Sequence, residues 1–94
     1  MPNATVRDNV ARSRYELELD GAVAFIDYRR VGDRRVLTHA EVPPAWRGHG
    51  IAAKLTAGAL DLIRAQGERI EARCSYVADF IERHAEYHDL LVGR

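Results

Sequence analysis

A chain of 94 residues with 47% hydrophobic side chains has room for one domain and one core, and no second domain fits. Its 14 basic and 14 acidic side chains cancel, so no global field draws it to nucleic acid or to an anionic membrane. The lone cysteine, Cys74, cannot close an internal disulfide. Neither an N-terminal apolar run of signal-peptide length nor an apolar stretch of membrane-spanning length is present, and the expectation is a cytoplasmic protein.

Residues 1–4 carry little pattern and are expected to fray. Thr5 to Asp8 reads as a short edge strand. Tyr15, Leu17 and Leu19 alternate with Glu16 and Glu18, the period of a half-buried strand, and Asp20-Gly21 is a dipeptide that closes tight hairpins. Ala22 to Arg30 returns as the second arm, and Val31 to Arg34 makes a further turn. Arg35 to Val42 is rich in strand formers and stops where Pro43-Pro44 remove two backbone donors. Arginines 29, 30, 34 and 35 flank that turn and read as a solvated hairpin tip, or as a patch for an acidic partner.

Beyond Gly50 the period changes. Ile51, Leu55, Ala59, Leu62 and Ile63 share one helical face, Lys54, Asp61 and Arg64 lie off it, and Gly67 is a C-terminal stop, which predicts a helix over 51–66. Arg69 to Cys74 is then a short strand parallel to 35–42 in a β-α-β unit. Ser75 caps a second helix with Val77, Phe80, Ile81 and His84 on its inner side. The order is ββββαβα in a single α+β domain over 1–94, with a mostly antiparallel sheet of about five strands.

Between strand and helix sits Arg47-Gly48-His49-Gly50. Unpaired N–H groups and a positive dipole end make a helix start an anion site, the two glycines permit positive φ and close backbone approach, and Arg47 adds a charged fork. Several charge-assisted hydrogen bonds of about 1.5–3 kcal/mol each can hold a pyrophosphate at micromolar levels. The same glycines also suit a plain tight turn. Walker A is excluded because no Gly-Lys-Ser/Thr is present, and the dinucleotide fingerprint because Ala53 stands where its third glycine belongs.

The stretch from Val42 through Pro43, Pro44, Trp46, Arg47, Gly48, His49, Gly50 and Ile51 to Ala52 resembles the acyl-CoA signature of the GNAT superfamily of N-acetyltransferases. That signature is Gln/Arg-x-x-Gly-x-Gly/Ala after a strand ending in Val-x-Pro, and Arg47, Gly50 and Ala52 match it in place. The whole chain is similar to the small single-domain members of the YjdJ type, through LTHAEVPPAWRGHGIAAKL followed by CSYVADFIERHAEYHDLL. The resemblance implies an acetyl-CoA or coenzyme A site in which the N–H groups of His49 to Ala52 hold the pyrophosphate. It also implies that the pantetheine arm lies where the 35–42 and 69–74 strands part. Val42 is a further candidate for cofactor contact, as are Arg83 and His84 at the end of the second helix, and the hairpin-tip arginines are candidates for the 3′-phosphate of CoA.

Two departures stand out. Larger relatives carry helices between their first two strands that wall the acceptor site, whereas Asn9 to Ser13 is too short for three helical turns. A large acceptor on an open cleft, a wall from a second subunit, or no dedicated acceptor would each fit. The tyrosine that often reprotonates the leaving thiolate falls on Ile81, so Tyr76 or Tyr87 would have to replace it. Cys74, at a strand end beside the expected thioester, is a candidate nucleophile, although a lone cysteine is commonly a small buried hydrophobe. His39 and Glu41 share a strand face and are candidates for a base, or an ordinary exposed pair. His84 and His88 lack a third ligand for a metal. Trp46 reads as a packing anchor over the loop.

The function expected is an acetyl-CoA-dependent acetyltransferase acting on an amine or protein, using Cys74 or the His39/Glu41 face. The alternative is a non-catalytic CoA-binding module, and a structural domain whose loop binds nothing comes third. Neither nucleic acid nor a membrane is an expected partner. Sheet edges and an uncovered sheet face make a homodimer plausible.

Overall fold

The computed structural model describes residues 5–92, and the four N-terminal residues expected to fray lie outside the described residues. Strands β1 (Arg7–Asn9), β2 (Arg14–Leu19), β3 (Ala22–Val31), β4 (Arg34–Glu41) and β5 (Arg69–Ala72) form a sheet in chain order. Helix α1 (Ile51–Ala65) connects β4 to β5, and α2 (Ser75–Arg83) follows β5; short 3₁₀ turns occupy Val10–Arg12, Pro44–Trp46 and Ala85–Leu90. The first four strands are antiparallel neighbours and β5 runs parallel to β4, so the α+β class and the element order are those expected from the sequence.

Alternation on β2 and β3 points Tyr15, Leu17, Ala24, Ile26 and Tyr28 at the helices. There they form one core with Leu55, Ala59 and Ile63 of α1, and Val77, Phe80 and Ile81 of α2. The buried stripe of α1 also takes in Leu60 and Thr56, whose hydroxyl is satisfied by the Ala52 carbonyl at 2.7 Å, while Leu62 is only half-buried. Gly67 ends the helix at φ +72°. Thr5 and Val6 precede β1 rather than forming it. Val6 instead packs on α1 where Gly58 leaves room, since a Cβ at residue 58 would overlap the Val6 side chain. Ser75 is the first residue of α2 rather than its cap, a position held by Cys74 with no side-chain hydrogen bond to the helix.

Two polar residues depart from the alternating pattern. Glu16, on the sheet face away from the helices, is nonetheless buried, because Arg7 at 2.9 Å and Arg14 at 2.7 Å close over it and Arg14 lies 4.3 Å above the Phe25 ring. Arg35 is not part of a solvated hairpin tip. It shares the inward face of Leu37, so its guanidinium is buried 4.5 Å over the Tyr28 ring and meets Tyr15 Oη at 2.7 Å, Glu68 at 2.8 Å and Asp8 at 3.2 Å. Burial, with a 2.6 Å hydrogen bond from Tyr28 to Asp8, pushes the Tyr28 phenol up to about 12.

The feature that positions the site is an irregularity in β4. Its pairing with β3 runs to Tyr28↔Leu37 and then skips to Asp27↔His39, so Thr38 bulges. The bulge reverses the phase of the strand: Ala40 joins Leu37 on the core side, and His39 and Glu41 join Asp27 and Phe25 on the other face. At the same point β5 parts from β4. Their ladder ends at Leu37↔Ala72, and the Leu37 carbonyl accepts both the Arg73 N–H at 2.9 Å and the Cys74 N–H at 3.0 Å.

Candidate functional site

Past the end of β4 the chain is held by local geometry. Pro43-Pro44 start a 3₁₀ turn closed by Trp46 N–H to the Pro43 carbonyl at 2.9 Å, and Arg47 Nε donates back to the Val42 carbonyl at 3.2 Å. Gly48 at φ +82° and Gly50 at φ +74° then turn the chain into α1. Among the described residues no side chain caps that helix, which leaves the N–H groups of its first turn without a side-chain partner. Nothing lies within 4 Å of where a Cβ would stand on Gly48 or Gly50, which leaves the backbone open to a bulky anion.

These groups open on a cleft of about 170 Å³ lined by Val42, Arg47, Gly48, Gly50, Ile51 and Ala52, joined by Trp46, Ala53 and Tyr76. The structure thus brings together six of the residues singled out in the sequence as cofactor contacts. His49 is not in the lining; it is exposed and sets its ring edge-on to Trp46 at 5.9 Å. Arg83 and His84 lie elsewhere, at the far end of α2. Arg83 pairs with Asp79 at 3.2 Å, while His84 stacks on Phe80 at 4.0 Å with its Nδ1 2.7 Å from the Phe80 carbonyl. His88 likewise places Nε2 2.9 Å from the Ile81 carbonyl, so both rings serve the end of the helix.

Cys74 is half-buried against the core at the fork between β4 and β5, two residues before Tyr76. His39 and Glu41 are neighbours at 3.4 Å on the exposed sheet face, where they sit beside Phe25 and Asp27. The two candidate acids separate clearly. Tyr87 is buried and donates to Asp61 at 3.0 Å, whereas Tyr76 stands in the cleft wall. Burial, followed by the nearby Asp79 charge, raises the Tyr76 phenol above its ordinary value, so it carries its proton at neutral pH. Of the hairpin-tip arginines, Arg29 and Arg30 lie near the end of β3 and Arg34 starts β4, so they stand at the opposite end of β4 from the loop.

A family model described as GCN5-related N-acetyl-transferase matches residues 14–90. The chain belongs to the GCN5-related N-acetyltransferase family. Protein NATD1 of Bos taurus is 37% identical over 76 residues, covering 78% of this chain and 67% of that protein. Protein NATD1 of Homo sapiens is 34% identical over the same length, with 78% and 67% covered. The solution structure of a GCN5-like protein from Staphylococcus aureus superposes with a TM-score of 0.68 at 23% identity, over 100% of this chain and 93% of that one, and shares the fold. An acetyltransferase-type function follows from membership of this family. No helix among the described residues is long and apolar enough to cross a membrane.

Ala53 also lines the cleft, and Trp46 both lines it and packs against the core, as its reading as an anchor implies. Their signal was present in the run from Val42 to Ala53, since a helix start lends its whole first turn to the site.

Proposed function

We propose that this protein is an acetyl-CoA-dependent acetyltransferase whose cofactor diphosphate is held by the Arg47–Gly50 loop and the first turn of α1. The observation that carries the reading is the uncapped start of α1 opening on a cleft whose lining includes Arg47 and Tyr76 and no acidic residue. Such a lining fits a diphosphate, and Val42 with Ile51 and Ala52 offers apolar wall beside it. Acetyl-CoA, when bound, supplies an acetyl group activated as a thioester.

The chain's own residues then divide into two roles. Cys74, at the fork of β4 and β5 and at the start of α2, offers a thiol as the group that accepts the acetyl, with coenzyme A leaving as the free thiol. His39 with Glu41 offers a base on the open face, where an amine or a protein acceptor has access. The second reading, a CoA-binding module without turnover, is favoured by one observation: Ile81 is buried where the usual acid would stand, and the Tyr87 hydroxyl is committed to Asp61.

Intact-protein mass after mixing with acetyl-CoA separates the two. One acetyl on the native chain, removed by hydroxylamine and absent from Cys74→Ala, is the result expected if Cys74 accepts the group. No adduct on a protein whose melting temperature still rises with CoA would overturn the cysteine route. If no supplied amine or protein is then acetylated either, the binding module stands.

A further inference from the structure

Four tyrosines fall within the described residues, and three have hydroxyls committed to other side chains. Tyr15 Oη accepts from Arg35 at 2.7 Å, Tyr28 donates to Asp8 at 2.6 Å, and Tyr87 donates to Asp61 at 3.0 Å. The Tyr76 hydroxyl makes no hydrogen bond to another described residue, although its ring is held. That ring packs 6.4 Å from Phe80, which is buried and in turn stacked 4.0 Å from His84, an aromatic ladder at four-residue spacing along α2. The ladder fixes the ring without using its polar end.

We propose that Tyr76 is a ligand of the bound diphosphate, its phenol donating a hydrogen bond across the cleft to the anion held by Arg47, Gly50 and the first turn of α1. This rests on the reading of the cleft as an acyl-CoA site. Besides Tyr76 the lining side chains are apolar or, in Arg47 and Trp46, carry N–H donors, and none is acidic; a diphosphate brings several acceptors to them. Raised by burial, the phenol stays protonated and therefore remains a donor at neutral pH. Its role is to orient the cofactor, separate from whatever group moves protons at the thioester.

The test measures affinity for CoA and for adenosine 3′-phosphate 5′-diphosphate, which has the diphosphate but no pantetheine. Fluorescence of Trp46, in the same cleft, reads binding to the native chain, Tyr76→Phe and Tyr76→Leu. Tyr76→Phe keeps the ring and the ladder, and its melting temperature should match the native one. The expected result is a loss of about tenfold in affinity for both ligands with Phe, and no recovery with Leu. An affinity unchanged within twofold in Tyr76→Phe overturns the proposal. A loss for CoA alone also overturns it, because the phenol then meets the pantetheine arm. A native chain that binds neither ligand refutes the acyl-CoA reading itself, a result distinct from the other two.

Discussion

The two ends of β4 treat polar groups in opposite ways. At its start, Arg35 is buried among Asp8, Tyr15, Tyr28 and Glu68, with donors and acceptors engaged in side-chain contacts. Past its other end, the first turn of α1, the glycines and the Tyr76 hydroxyl are presented to an open cleft. The comparison teaches how to tell structure from function in so small a domain. A buried charge whose partners are all within the chain is there for the fold, while donors held rigid and left open are available to a ligand.

Breaking the closed end should have the largest effect. Arg35→Leu leaves Asp8 and Glu68 facing each other in a site from which water is largely excluded, and should cost about 3–5 kcal/mol in denaturant unfolding. The protein that remains folded should keep its CoA affinity. Gly50→Val attacks the open end instead. A β-branched residue at φ +74° should cost about 1–2 kcal/mol of stability, yet weaken CoA binding at least tenfold by calorimetry, since the loop must move to relieve the strain.

The smallest effect sharpens the contrast through pH. Burial alone would raise the Glu16 carboxyl, but hydrogen bonds from Arg14 and Asn9 and the charges of Arg14 and Arg7 outweigh it, leaving the carboxyl below its usual 4.5. A depressed carboxylate stabilises the fold fully above its unfolded value and loses that contribution as pH falls through the folded one. Glu16→Gln should therefore flatten the stability curve below pH 4.5, measured by urea unfolding, with no effect on the cleft. An unchanged acid limb would show that Glu16 does not carry it.

How much of this was legible in the sequence follows the same division. The alternation of Tyr15, Leu17 and Leu19, the stop at Pro43-Pro44, the helical stripe from Ile51 to Ile63 and the turn at Gly67 are local signals, and each produced its element. The geometry of the loop was legible because its glycines and the helix start stand at adjacent positions in the chain. Arg35 is not legible as a core residue, because an arginine beside a turn carries no mark of the two tyrosines and the aspartate that other strands bring to it, or of Glu68 from the turn after α1. The bulge at Thr38 also left no pattern; strict alternation would place His39 on the inward face of Leu37, and only the register with β3 turns it outward. Tyr76 and Tyr87 look equivalent in the sequence. They separate only once Asp61, on another helix, is seen to hold one of them.

The most direct test of the account is an amide ¹H–¹⁵N titration of the native chain with CoA. It predicts the largest shifts at Gly48, His49, Gly50 to Ala53 and Tyr76, with Tyr15, Tyr28 and Arg35 nearly still. Shifts centred on Arg35 and its partners, or none anywhere at millimolar CoA, would contradict it.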